Sequence, residues 1–152
     1  SPTAPPASAR TATPAASGAA ATAAPSGASR DLSLDEARGG HTIARHVGKS
    51  DDELRARLKA EPDISAASTY TDLETAERVV GQVLERRKDE IEKWSRRTGN
   101  RPNLALRLDM DVVIGRSVKQ GQTRAIDVSD AVVVLRWDGS DWYVLTSYPE
   151  DR

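Results

Sequence analysis

Residues 1–30 are Ala, Pro, Ser, Thr and Gly almost throughout, with no large apolar side chain. Such a stretch buries too little surface to offset the entropy of ordering it. It predicts a disordered linker over 1–30 and a folded domain over 31–152. Helical signals follow. A short turn of helix at Leu34 to Ala37 is interrupted by Gly39-Gly40. His41 to Val47 reads as a short helix with Ile43 and Val47 inward, stopped by Gly48. Ser50, with Glu53 three residues on, forms a capping box for a second helix whose apolar stripe is Leu54 and Leu58 and which Pro62 ends. Ile64 to Thr69 suits a short strand. A long helix then starts at a Thr71/Glu74 capping box and carries Leu73, Ala76, Val80, Val83, Leu84, Ile91 and Trp94 at helical spacing to about Arg97.

After Pro102 the period changes to two. Leu104, Leu106, Leu108, Met110, Val112 and Ile114 alternate with mostly polar residues and predict one half-buried strand, bent or ended at Gly115. Lys119 to Gln122 is a turn. Asp127 to Trp137 holds a second strand, Asp138-Gly139-Ser140 a hairpin, and Trp142 to Tyr148 its partner. Helices first and an antiparallel meander second predict an α+β domain with helices on one side of a sheet.

Charge and composition narrow the chemistry. The whole chain has a net charge of −1, with neither a global basic nor a global acidic character. Leaving out Arg10 and Arg30, the domain keeps 20 basic and 23 acidic side chains, a net of −3. An anionic partner therefore needs a local cationic cleft. Zero cysteine excludes disulfides, thiolate catalysis and cysteine-ligated metal. No apolar run reaches the roughly 20 residues of a membrane-spanning helix, and no signal-peptide pattern opens the chain.

The candidate chemistry lies near the two ends of the domain. Its two histidines, His41 and His46, stand five residues apart. On a helix this is about 140° of rotation, so they do not share one face. HTIARH does not match HExxH, which leaves no metal-site prediction. Either histidine suits proton transfer near neutral pH, and either suits a structural hydrogen bond at a helix end. Arg57 borders the Leu54/Leu58 stripe; its planar guanidinium suits a phosphate, and an ordinary solvated helix face is the plainer alternative. In the last strand, alternation puts Trp142, Val144, Thr146 and Tyr148 on one face and Tyr143, Leu145 and Ser147 on the other. Thr146 and Tyr148 then project side by side, although both are ordinary strand residues. No nucleophile elbow, phosphate-binding glycine loop, dinucleotide fingerprint or zinc-deaminase pattern occurs, and no cofactor is predicted.

Three blocks taken together, GGHTIARHVGKSDDELRARL, ISAASTYTDLETAERVV and VVVLRWDGSDWYVLTSYP, resemble the bacterial ribonuclease A-like toxin family. Those domains are found at the C-termini of contact-dependent growth inhibition proteins and other polymorphic toxins. The resemblance runs from about Leu34 to Pro149. It implies a ribonuclease A-like, kidney-shaped α+β fold without disulfides, with N-terminal helices followed by a twisted antiparallel sheet. It also implies metal-independent RNA cleavage through a 2′,3′-cyclic phosphate, needing no cofactor. By that resemblance His46 is the proton-transfer group, Arg57 binds the scissile phosphate, and Thr146 and Tyr148 bond phosphate oxygens or orient the histidine. His41 stays open between a second acid/base and a structural hydrogen-bonder. If it is structural, Tyr148 is the fallback acid, a weak one with an ordinary pKa near 10; Lys49 and Lys119 are further cations in reach. The implied partners are RNA, with tRNA among the candidates, a cognate immunity protein, and a delivery scaffold N-terminal to this stretch. Secretion or delivery, then action in the target-cell cytoplasm, follows from the same resemblance. A non-catalytic binding module, a nucleotide or ADP-ribosyl-transfer toxin and a plain nucleic-acid binder are the rival readings.

Overall fold

The computed structural model describes residues 29–151. The linker expected over 1–30 lies almost wholly outside them. Arg30, the last residue assigned to it, is held by the domain: its backbone N–H donates to Glu77 O at 3.0 Å, and its guanidinium forks onto the buried carboxylate of Asp35 at 2.9 and 2.7 Å.

The described elements run α1 (Leu32–Ala37), α2 (Thr42–His46), α3 (Asp51–Ala60), β1 (Ala66–Tyr70), α4 (Leu73–Arg86), α5 (Lys88–Ser95), β2 (Leu104–Asp109), β3 (Gly115–Lys119), β4 (Ile126–Val128), β5 (Asp130–Trp137) and β6 (Trp142–Glu150). The mixed helical and antiparallel character is as expected. The single sheet is not. The strands form two three-stranded antiparallel sheets, ordered β1-β3-β4 and β2-β5-β6.

The apolar patterning divides the same way. Leu54 and Leu58 of α3, inside the expected capping box, pack on Ala67 and Val118 of the first sheet. Ala76, Val79, Val80 and Val83 of α4 and Ile91 and Trp94 of α5 pack with Leu106, Val133, Leu135 and Val144 of the second. Tyr70 ties the two together: its hydroxyl lies 2.6 Å from Ser147 Oγ, which donates to Val132 O at 2.8 Å.

Four boundaries differ from the sequence expectation. The long helix is capped by Asp72, whose side chain accepts from Thr75 N, while Thr71 Oγ1 donates to Ile114 O instead. That helix also breaks at Arg87. In one continuous helix Ile91 would lie about 80° round from Val83; the break brings Ile91 and Trp94 back to the core, and Arg87 donates to Arg107 O. The run Leu104 to Ile114 is not one strand. Asp109 Oδ1 accepts from Asp111 N, Asp111 takes a positive φ of 63°, and the chain turns, leaving Val112 and Val113 exposed. Such side-chain turns are typical of Asp. Likewise the Asp127 to Trp137 run is split at Ser129 between β4 and β5, one in each sheet.

A further correction positions the site. Between Val134 and Leu135 the β5–β6 register slips: Val134 pairs with Thr146 and Leu135 with Val144, so Leu145 is an extra residue. Paired residues share a face, and a bulge reverses the alternation. Thr146 and Tyr148 stay together but share their face with Tyr143, while Trp142 and Val144 turn to the other. The bulge frees Leu145 O to accept from His41 N at 2.8 Å, and Asp35 Oδ1 accepts from Val144 N at 2.9 Å. Gly40 makes that approach possible, because a Cβ there would stand 2.5 Å from Val144 O and 3.0 Å from Asp35 O.

Candidate functional site

A cavity of about 550 Å³ opens where the two sheets meet. All five sequence-derived candidates line it: His41 and His46 from α2 and its N-cap, Arg57 from α3, and Thr146 and Tyr148 from β6. The buried face of α2 is Thr42 and His46, with Ile43 and Val47 only half-buried against the core.

His46 is 6% exposed and its Nδ1 is 3.2 Å from Ser68 O of β1. A carbonyl only accepts, so Nδ1 carries the proton and Nε2 the lone pair. Burial, with Arg57, His41 and Arg45 close by, lowers its pKa to about 4 despite the Ser68 bond. The ring is therefore a neutral base at neutral pH. The Tyr148 ring stands 5.4 Å away, centroid to centroid, at 42°. Burial and Glu150 push the Tyr148 phenol above its ordinary range. That makes Tyr148 a hydrogen-bond donor and a still weaker acid than its ordinary pKa suggests.

His41 is fixed through its backbone, not its ring. Its Nδ1 is buried with no partner among the described residues. Burial and Arg45 lower its pKa, opposed by His41's own backbone and then by Glu36. Thr146 Oγ1 is likewise buried and unpartnered. Polar atoms left this way cost about 1–3 kcal/mol each, and a ligand oxygen entering the cavity would satisfy the Thr146 hydroxyl.

Arg57 Nε donates to Glu61 at 3.1 Å. The same guanidinium charge reaches both histidines. Lys119 lines the cavity in an ion pair with Asp151 at 2.7 Å. Lys49 does not line it; its backbone N–H donates to Thr69 Oγ1. Two participants went unread in the sequence. Arg45 lines the cavity and makes no ion pair among the described residues. Its position four residues after His41 was an available signal. The Ser68 carbonyl is a backbone group and left none. Among the described residues no three His, Asp or Glu side chains are grouped to hold a metal ion, and no helix is long and apolar enough to cross a membrane.

Residues 40–149, which include His41, His46, Arg57, Thr146 and Tyr148, match the family model described as Bacterial CdiA-CT RNAse A domain. The chain belongs to that family. Among solved structures, this CdiA-CT RNase A domain is similar to one reported as the crystal structure of the CdiA-CT/CdiI complex from Y. kristensenii 33638. The TM-score is 0.65 and the identity 30%, over 74% of this chain and 100% of that one. No curated protein sequence matches. The ribonuclease A-like toxin resemblance of the three sequence blocks thus agrees with the family of the CdiA-CT RNase A domain as a whole.

Proposed function

We propose that this domain is an antibacterial toxin ribonuclease that cleaves RNA by metal-independent transphosphorylation. One observation carries the reading: His46, His41, Arg57, Thr146 and Tyr148, drawn from three separate parts of the chain, line a single cavity. Neutral His46 takes the 2′-hydroxyl proton on Nε2. The 2′-oxygen attacks the adjacent phosphorus, an acid, His41 or Tyr148, protonates the departing 5′-oxygen as its bond breaks, and a 2′,3′-cyclic phosphate forms. Arg57 faces the phosphate, and the free Thr146 hydroxyl and the Tyr148 phenol donate to its oxygens as negative charge builds in the transition state. The substrate phosphate opposes the nearby cations that add to burial in lowering both histidine pKa values, and so raises both once RNA is bound.

The kidney-shaped layout, with two sheets flanking the cleft, belongs to the same reading. So do secretion or delivery by a producing bacterium, action in the target-cell cytoplasm, and an immunity protein that covers the cleft. The similar solved structure is itself a CdiA-CT/CdiI complex. Residues 1–28, which stop short of the Arg30 contacts, serve as a linker to a delivery scaffold. Removing residues 1–28 should leave the melting temperature and in-vitro cleavage unchanged; a large loss of either would refute the linker.

The direct test is cleavage of total RNA and of a dinucleotide in EDTA by the wild type and by His46→Ala, with circular dichroism as the folding control. Cleavage ending in a 2′,3′-cyclic phosphate, lost in folded His46→Ala, is the expected result. A folded wild type that cleaves nothing would leave a binding module or a nucleotide-transfer toxin in its place.

A further inference from the structure

Glu36 has no part in the reaction just described, yet its carboxylate is held against the helix that carries both histidines. Glu36 Oε1 accepts from Ala44 N at 3.2 Å, in the first turn of α2, whose N-cap is His41. The other oxygen, Oε2, is buried with no partner among the described residues, and so is His41 Nδ1. A buried carboxylate oxygen without a donor and a buried imidazole nitrogen without a partner thus lie on adjoining segments, although no ion pair joins Glu36 and His41 among the described residues, and a small movement of either side chain is needed to pair them. Leaving both unpaired is costly. Putting a proton on His41 supplies the donor and a positive charge together.

We propose that Glu36 is the positioning carboxylate of His41: it pairs with Nδ1–H of the protonated ring, and His41 so held is the general acid of the reaction. The inference rests on the ribonuclease reading above. The charged and titratable groups facing His41 are Glu36 from α1, Arg45 and His46 on α2, and Arg57 from α3; Thr146 and Tyr148 line the same cavity from β6. Among these charged side chains Glu36 is the one that favours the protonated ring, adding to the His41 backbone and acting against burial, Arg45 and Arg57. In the step itself, His46 takes the 2′-hydroxyl proton, the 2′-oxygen–phosphorus bond forms and the phosphorus–5′-oxygen bond breaks. His41 Nε2–H then protonates the departing 5′-oxygen, while Nδ1–H stays on Glu36. The products are a cyclic phosphate and a free 5′-hydroxyl, and exchange with water returns both rings to their starting states.

The test compares two leaving groups. A dinucleotide needs its 5′-oxygen protonated. A nucleoside 3′-(4-nitrophenyl phosphate) does not, because 4-nitrophenolate departs unaided. Glu36→Gln keeps an oxygen for Ala44 N. It should lower kcat on the dinucleotide about 10-fold and leave the nitrophenyl ester near wild type, while His41→Ala should lose about 100-fold or more on the dinucleotide and clearly less on the ester. His46→Ala should fail on both. The basic limb of kcat/KM should move to lower pH in Glu36→Gln and return toward wild type in Glu36→Asp, which keeps the charge. Equal losses of Glu36→Gln on the two substrates, or an unmoved basic limb, would overturn the proposal. A wild type active on neither substrate would sink the ribonuclease reading itself, whereas an active, His46-dependent wild type with an indifferent Glu36→Gln would sink only the role of Glu36.

Discussion

Burial, reinforced by Arg57, holds the His46 imidazole neutral far below its ordinary range, and this has a thermodynamic consequence. Its pKa falls from 6.5 to about 4 on folding. Between those values the unfolded chain binds a proton that the folded one refuses. The associated stability is therefore complete above pH 6.5 and is lost as pH falls toward 4, at up to about 1.4 kcal/mol per pH unit and about 3 kcal/mol in all. His46→Gln keeps a donor for Ser68 O and does not titrate. Denaturant unfolding at pH 7, 5.5 and 4.5 should show the wild type losing stability relative to His46→Gln as pH falls; parallel curves would mean that the ring is not held neutral. At this scale the sequence was informative where a side chain names its chemistry. The pairing of His46 and Arg57 with Thr146 and Tyr148 was legible through the family resemblance of three separated blocks, and the structure brings those four residues to one cavity. The Ser68 carbonyl, which decides the His46 tautomer, carries no sequence signal because every residue has one. Arg45 lines the cavity without belonging to any motif, and its spacing of four residues from His41 is the one signal it leaves in the sequence.

The elements were legible where local chemistry decides them and illegible where tertiary packing does. The Ser50/Glu53 capping box and the Leu54/Leu58 stripe form as read, because both depend on neighbours within one or two turns. The helix break at Arg87 and the Leu145 bulge do not announce themselves: each answers to a surface supplied by a distant segment. The bulge shows how a plain alternation can be right about Thr146 and Tyr148 and wrong about Val144. The deciding contact is between the bulged strand and the Gly39-Gly40 turn, read in the sequence merely as a break. Gly40→Ala tests it. A Cβ there meets backbone at Val144 O and Asp35 O, neither of which can swing aside as a flexible side chain could. We expect a loss of about 1–3 kcal/mol, together with a fall in cleavage larger than instability explains at a temperature where the variant is folded. Thermal melts and cleavage assays on one preparation check both; a stable, fully active Gly40→Ala would mean that the α1–β6 contact does not set the position of His41.

The whole molecule places a cleft between two small cores, so the cleft's width depends on what ties the sheets together. The sequence showed helices and strands in roughly the right places. It did not show two sheets, because β4 and β5 are consecutive in the chain and only Ser129 separates them. The Tyr70 and Ser147 hydroxyls form a buried polar tie between the sheets, and its direction can be worked out. Ser147 donates to Val132 O, so its oxygen accepts from the Tyr70 phenol. Tyr70→Phe removes that donor and leaves a hydroxyl whose own proton is still bonded, a loss of about 1 kcal/mol. Ser147→Ala strands the Tyr70 hydroxyl, which is fully buried, and should cost more, about 1–3 kcal/mol. The double variant, with no orphan left, should be no less stable than Ser147→Ala alone, which urea unfolding of all four proteins would show. Since Ser147 stands between Thr146 and Tyr148 on the chain and across the sheet from them, loosening the tie should raise KM and lower kcat for RNA even in the double variant. Stability that recovers while activity does not would show that the tie sets the cleft; strictly additive losses in stability would mean that the two hydroxyls act independently.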